Sequence, residues 1–166
     1  MKKIKILFLP ILLLISTMQA DDKIYSFIGV QTAVSKFENV SAPTIGVKYG
    51  KQSKNMRTSI SYNYGEKSSH YYQTLLMQID TGILTNTFRD IALKPYVGAT
   101  VGIMQQNDDS LVPRIDRGYV YGVDAGLTYI LNDTVDLDLG YRFLKTSKLE
   151  NIDKLSDLTF SMHYFY

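Results

Sequence analysis

Leu158-Thr159-Phe160-Ser161-Met162-His163-Tyr164-Phe165-Tyr166 decides the fold. Side chains two apart share a side of an extended strand, so Leu158, Phe160, Met162, Tyr164 and Tyr166 make one apolar face. Thr159, Ser161 and His163 make a polar one, joined there by Phe165. A last strand of this kind, ending on a bulky aromatic residue, predicts a transmembrane β-barrel whose final strand closes against its first. The expected fold class is therefore all-β, an eight-stranded antiparallel up-and-down transmembrane barrel.

The opposite end of the sequence agrees. Lys2, Lys3 and Lys5 precede an apolar run over residues 6–15, and Ser16-Thr17-Met18-Gln19-Ala20 leads into Asp21-Asp22. Basic region, apolar run and small-residue site predict a secretory signal peptide cleaved after Ala20. A membrane anchor is the alternative, but the run falls short of the roughly 20 residues a spanning helix needs, and Pro10 interrupts it. The expected division is residues 1–20 as signal peptide and 21–166 as the barrel domain. Removing the signal takes away three lysines and no acid, leaving 15 of the 18 basic residues against 16 acidic ones. The formal charge passes from +2 to −1, so no basic excess points to nucleic acid. Cysteine is absent, which removes disulfides, thiolate nucleophiles and cysteine metal sites from consideration.

Working inward, the same period of two recurs. Pro43, Ile45, Val47 and Tyr49 alternate with Thr44, Gly46, Lys48 and Gly50. Met56, Thr58, Ile60, Tyr62 and Tyr64 alternate with Arg57, Ser59, Ser61, Asn63 and Gly65. Tyr71, Gln73, Leu75, Met77, Ile79, Thr81 and Ile83 stand against Thr74, Leu76, Gln78, Asp80 and Gly82. Leu93, Pro95, Val97, Ala99, Val101 and Ile103 stand against Lys94, Tyr96, Gly98, Thr100 and Gly102. Tyr119, Tyr121, Val123, Ala125, Leu127, Tyr129 and Leu131 alternate with Gly122, Asp124, Gly126 and Thr128. Val135, Leu137, Leu139, Tyr141 and Phe143 alternate with Asp136, Asp138, Gly140 and Arg142. A first strand over residues 24–33 completes the eight, with two phases open: Ile24, Ile28 and Val30 outward, or Tyr25 and Phe27.

The seven clear outward series contain no Asp, Glu, Lys or Arg, although these make up 20% of the chain. Lipid explains the exclusion, because Lys or Arg at a bilayer midplane costs roughly 2–4 kcal/mol. The inward series carries Lys48, Arg57, Lys94 and Arg142 with Asp80, Asp124, Asp136 and Asp138, a set able to neutralise itself inside a narrow lumen. This polarity is the reverse of a soluble lipocalin-like barrel, whose inward residues are apolar. With both termini in the periplasm, turns fall at 51–55, 85–90 and 132–133, and outer loops at 35–42, 66–70, 105–117 and 145–154. The same topology groups Tyr62, Tyr64, Tyr71, Tyr119, Tyr121 and Phe143 at the outer rim. It groups Tyr49, Tyr129, Tyr164 and Tyr166 at the periplasmic rim, the pattern of aromatic girdles.

Gly140-Tyr141-Arg142-Phe143 and the terminal Phe160-x-Met162-x-Tyr164-x-Tyr166, with the cleavable signal, carry a family likeness. The chain resembles the small eight-stranded outer-membrane barrels of the OmpA/OmpX and opacity-protein type. Family terminal signals more often end in Phe, so Tyr166 is a departure. The resemblance implies the outer membrane of a Gram-negative bacterium. It also implies that Phe160, Met162, Tyr164 and Tyr166 form an assembly signal read by the outer-membrane assembly machinery, with periplasmic chaperones on the way. Outer-membrane lipid and lipopolysaccharide are the expected surroundings.

Eight strands leave an interior that side chains can fill, so the expected lumen is ion-paired and closed, and the expected role is structural or surface-interactive. No catalytic residue, metal site or cofactor is expected. A narrow gated pore and a lipid A-modifying acyl hydrolase or acyltransferase are the alternatives. The enzyme would need His and Ser together with a carboxylate to orient the His. Ser161 and His163 share a face, but Glu38, Glu66 and Glu150 are remote from them, and His70 with Ser68 and Ser69 reads as an exposed loop. Two histidines on separated segments give no metal cluster, and Asp108-Asp109 falls short of a calcium loop. The loop at 105–117, with Leu111, Val112 and Ile115 among its charges, is the candidate for a host or surface ligand.

Overall fold

The structure, a computed structural model, describes residues 23–37, 40–53, 56–67, 70–82, 92–108, 114–149 and 152–166. The expected signal peptide, Ile83, the turn at 85–90, Asp109 to Pro113, Glu38 and Glu150 lie outside the described residues. Eight strands follow one another: β1 (Tyr25–Phe37), β2 (Val40–Gln52), β3 (Met56–Lys67), β4 (His70–Thr81), β5 (Leu93–Asp108), β6 (Arg114–Asn132), β7 (Val135–Ser147) and β8 (Lys154–Phe165). Each pairs antiparallel with its neighbour in sequence, and β8 returns to β1, so the sheet is a closed barrel. The closing seam runs from Phe27↔Phe165 through Val30↔Met162 to Phe37↔Leu155.

The seam also fixes the phase of β1. Ile28, Val30 and Val34 are exposed, whereas Phe27 is fully buried and points inward with Gly29, Gln31, Ala33 and Ser35. Of the two phases open in the sequence, the aliphatic one faces outward. Phe27 has a reason to turn in: its ring packs 4.7 Å from His163 and 5.4 Å from Phe165, centroid to centroid. Every other outward series falls on the outside as its alternation predicts. Ile45, Val47, Ile60, Val101, Val123, Tyr141, Phe160 and Met162 are all exposed, Val123 to 62%. Charged outward positions occur only at strand ends (Lys36, Lys51, Glu66, Arg117, Lys145 and Lys154), so a continuous charge-free belt girdles the barrel. Exposed apolar area on this scale is stable against hydrocarbon and not against water.

The loop expectations are corrected. β1 runs on to Phe37 and β2 starts at Val40, β5 reaches Asp108, and β6 begins at Arg114. At the end of the barrel away from the termini, the connections shrink to 38–39, 68–69, 109–113 and 148–153. The widest span between consecutive strands, from Thr81 to Leu93, is at the terminus-bearing end. Polar residues above the belt continue the hydrogen-bonded ladder instead of leaving it. β6, at 19 residues, is the longest strand. Its first part pairs with β5 alone, because its register with β7 starts only at Tyr119.

The belt makes an asymmetric prediction. Val123→Arg, near the middle of β6, should cost roughly 2–4 kcal/mol of folding free energy in a bilayer. Thr159→Ala removes one hydrogen bond to the Gly140 carbonyl, 3.2 Å long, and should cost about 1 kcal/mol. Denaturant unfolding in vesicles checks both.

Candidate functional site: the charged lumen

The inward faces of the strands converge on one compartment in the terminus-bearing half. Arg57 on β3 reaches across to β7, where Nη2 lies 2.8 Å from Asp136 Oδ2 and Nη1 3.4 Å from Asp138 Oδ2. Its Nε donates to Gln52 Oε1 at 2.7 Å, and the guanidinium sits 5.6 Å over the Phe27 ring. Asp138 also accepts from Thr128 at 2.9 Å and from the Tyr96 hydroxyl at 3.0 Å. Asp136 uses its other oxygen on His163 Nδ1, at 2.7 Å. A buried carboxylate is tolerable when its lone pairs are taken up in this way.

A second knot lies next to it. Gln78 Nε2 donates to Asp80 Oδ1 at 2.9 Å and to Asp124 Oδ2 at 3.0 Å, tying two aspartates through one amide. Thr100 donates to Asp124 Oδ1 at 2.7 Å. Gly98 makes this possible: a Cβ there would overlap Asp80 Oδ1 and sit 2.6 Å from Asp124 Oδ2. Lys48 is buried in the same compartment, in the fields of Asp138 and Asp80 and of the like-charged Arg142 and Arg57. Higher up, Arg142 pairs with Asp157 at 2.9 Å. Asn63 accepts from Gln31 and donates to Thr74 at 3.1 Å.

Seven of the eight charges expected in the lumen (Lys48, Arg57, Asp80, Asp124, Asp136, Asp138 and Arg142) are buried there. Lys94, the second residue of β5, is only half-buried and has a contact of its own. Asp157 was not anticipated, although it continues the inward parity of Thr159, Ser161 and His163 by one step. Toward the other end the inward side chains are apolar: Phe37, Ala42, Tyr72, Leu76, Met104, Val120, Leu144 and Leu155 form one cluster. Leu149 and Ile152 from the β7–β8 connection cap it, and Phe37 stacks on Tyr72 at 4.1 Å. Between the layers lies a cavity of about 10 Å³, bounded by Asn63, Tyr72, Thr74, Arg142 and Asp157 among others. That is room for one water, far below the few hundred Å³ of a ligand pocket.

His163 acquires an orienting carboxylate after all, in Asp136 rather than in a glutamate. The ring is fully buried and Ser161 is 1% exposed. His163 Nε2 and Ser161 Oγ each lack a hydrogen-bond partner, so the two do not bond to one another. Both side chains point into the lumen and are buried there. Ser68, Ser69 and the His70 side chain lie outside the described residues, and no metal-ligand cluster occurs among the described residues. Phe160, Met162, Tyr164 and Tyr166 are all exposed on the outer face of β8 and its end.

No protein-family model and no curated protein sequence matches the chain. Solved structures do. Neisserial surface protein A aligns with a TM-score of 0.70 at 17% identity, over 89% of this chain and 100% of that one. Outer membrane protein H of Pseudomonas aeruginosa gives 0.63 at 22% identity, over 86% and 99%. The outer membrane enzyme PagL gives 0.50 at 11% identity, over 82% and 98%. The chain therefore has the fold of small eight-stranded outer-membrane barrels, a fold that an enzyme also uses.

The network predicts a specific energetic asymmetry. Arg57→Gln leaves Asp136 and Asp138 buried without their counter-charge and should cost about 3–5 kcal/mol. Adding Asp136→Asn and Asp138→Asn to it should return part of that loss. Lys51→Gln, on the exposed face of β2, should stay within about 0.5 kcal/mol. Urea titration of the refolded barrel separates the three.

Proposed function

We propose that this chain is an integral outer-membrane β-barrel with a structural or surface-interaction role, in adhesion or envelope integrity, and no catalytic activity of its own. The observation that carries the reading is the pairing of a charge-free outer belt with a lumen closed by its own side chains. The belt needs hydrocarbon, and the apolar cluster and the ion-paired side chains occupy the lumen. Both termini lie in the periplasm on this reading, with the β5–β6 ribbon projecting outward from the cell. Assembly machinery and periplasmic chaperones deliver it, with Phe160, Met162, Tyr164 and Tyr166 as the signal. Outer-membrane lipid and lipopolysaccharide surround it, and a host or surface ligand would meet it at the tips of the β5–β6 and β7–β8 hairpins.

The lipid A-modifying alternative draws on the Asp136–His163 pair, but burial of both the ring and Ser161 argues against its use. The narrow-pore alternative would require the apolar cluster and both hydrogen-bonded knots to move together. The purified protein should migrate differently on denaturing gels before and after boiling, and should give no steady conductance in planar bilayers. Lipid A from cells with and without it should have identical acyl composition by mass spectrometry. A missing or added acyl chain would overturn the non-catalytic reading, and steady conductance the closed lumen.

A further inference from the structure

The lysines at the end of the barrel away from the termini gather on one side. Lys145 on β7 faces Lys154 on β8 directly across the strand pair, and both point outward. Lys36 on β1 sits opposite Ser156, two residues along from Lys154 on the same face. Lys148, in the β7–β8 connection, folds back so that its Nζ lies 5.3 Å over the ring of Tyr119, an outward residue of β6. Lys148 adopts φ 72°, a left-handed conformation that a residue with a Cβ seldom takes. Arg117 continues the row on β6.

Like charges directly opposite each other on a sheet repel, and evolution ordinarily places an acid at one of the two positions. No carboxylate occupies an outward strand position of β6, β7, β8 or β1 at this level. Asp153 beside Lys154 has contacts of its own, Glu66 on β3 accepts from Tyr64 at 3.2 Å, and Glu38 and Glu150 lie outside the described residues. The lysines share their rungs with an aromatic row: Tyr121 is the β6 partner of Lys145, and Phe143 is the β7 partner of Ser156, which faces Lys36. Aromatic side chains settle at the hydrocarbon boundary, so ammonium groups beside them, carried on long stems, reach the level of lipid headgroups. The opposite side of the barrel has Gln73, Gln105 and Glu66 at its outward rim positions in place of lysines.

We propose that Lys145 and Lys154, flanked by Lys36 and Lys148, form a binding site for the phosphate groups of an outer-leaflet glycolipid of the lipid A kind. This rests on the outer-membrane reading above. A phosphate between the two ammonium groups converts a repulsive pair into two charge-assisted hydrogen bonds, and the acyl chains lie along the belt below. The lipid headgroup is favoured over a soluble polyanion because the lysines point sideways from the wall, in line with the aromatic row, and not upward from a loop tip.

The test uses the full mature barrel refolded into phosphatidylcholine vesicles with and without lipid A. Lipid A should raise the temperature at which the wild-type barrel loses its gel shift, and raise that of K145Q/K154Q much less. In phosphatidylcholine alone the double variant should match or exceed wild type, because the repulsion is gone. Retention of lipid A through native mass spectrometry should fall about 25-fold in the double variant, about fivefold for each lysine. Dephosphorylated lipid A should not be retained, and K51Q should behave as wild type. Equal stabilisation of both proteins by lipid A would overturn the proposal. So would destabilisation of K145Q/K154Q in phosphatidylcholine alone, since the lysines would then be neutralised by an acid of their own chain. Heparin oligosaccharide binding without lipid A binding would also overturn it. A chain that never acquires a gel shift in any vesicle would instead remove the membrane-barrel reading, and this proposal with it.

Discussion

In hydrocarbon a backbone N–H or C=O has no water to turn to, so each must find its partner within the chain. The pairing of β1 with β8 is the step that meets this condition for the whole barrel. Without it two strand edges would face lipid, and the remaining ladders could not make up the loss. The seam also dictates what lies inside. Once eight strands close, the lumen is too narrow to be left open to bulk solvent and too wide to be left empty. Side chains must fill it, and those filling it must satisfy one another.

The filling is layered. Toward the termini, Arg57, Asp136, Asp138 and His163 form one connected polar network, and Asp80, Asp124 and Gln78 form another. Toward the far end the inward faces switch to a hydrophobic cluster closed by Leu149 and Ile152. Arg142 and Asp157 mark the boundary between the two layers. An apolar core is cheap to bury but says little about register, since one aliphatic group packs much like another. Buried ion pairs are costly to bury and unforgiving of misplacement, because a one-residue slip would turn every charge toward lipid. The polar half can thus specify the strand register while the apolar half contributes packing.

Most of the outer face was legible in the sequence, because lipid admits no charge and the strand period is two. Ile45, Val101, Val123 and Met162 could be placed on that face from alternation alone. The first strand was not, since Ile28 and Val30 compete with Tyr25 and Phe27, and both sets are apolar. Only its neighbours decide: Phe27 has His163 and Phe165 to pack on. Strand ends were misjudged for a related reason. Above the belt a polar segment looks like loop whether or not its backbone remains paired, as at residues 105–108 and 114–117. The inner apolar cluster was legible only at Leu76, because Tyr119-Val120-Tyr121 is apolar on both faces and carries no alternation. Individual contacts such as Arg57 with Asp136 depend on which strands meet across the lumen, which alternation does not encode.

Closure between β1 and β8 is open to a direct measurement. Cysteines at Val30 and Met162, facing partners on the outer surface of the seam, fall within the Cα separation that a disulfide requires. Oxidation of the folded V30C/M162C chain in vesicles should link them, and the product should run faster than the linear chain on a boiled, non-reducing gel until reductant is added. A control with V30C and L158C, four residues out of register, should stay linear. Failure of V30C/M162C to cross-link in a chain that is otherwise inserted, or equal cross-linking of the mismatched control, would contradict the closed barrel on which the account rests.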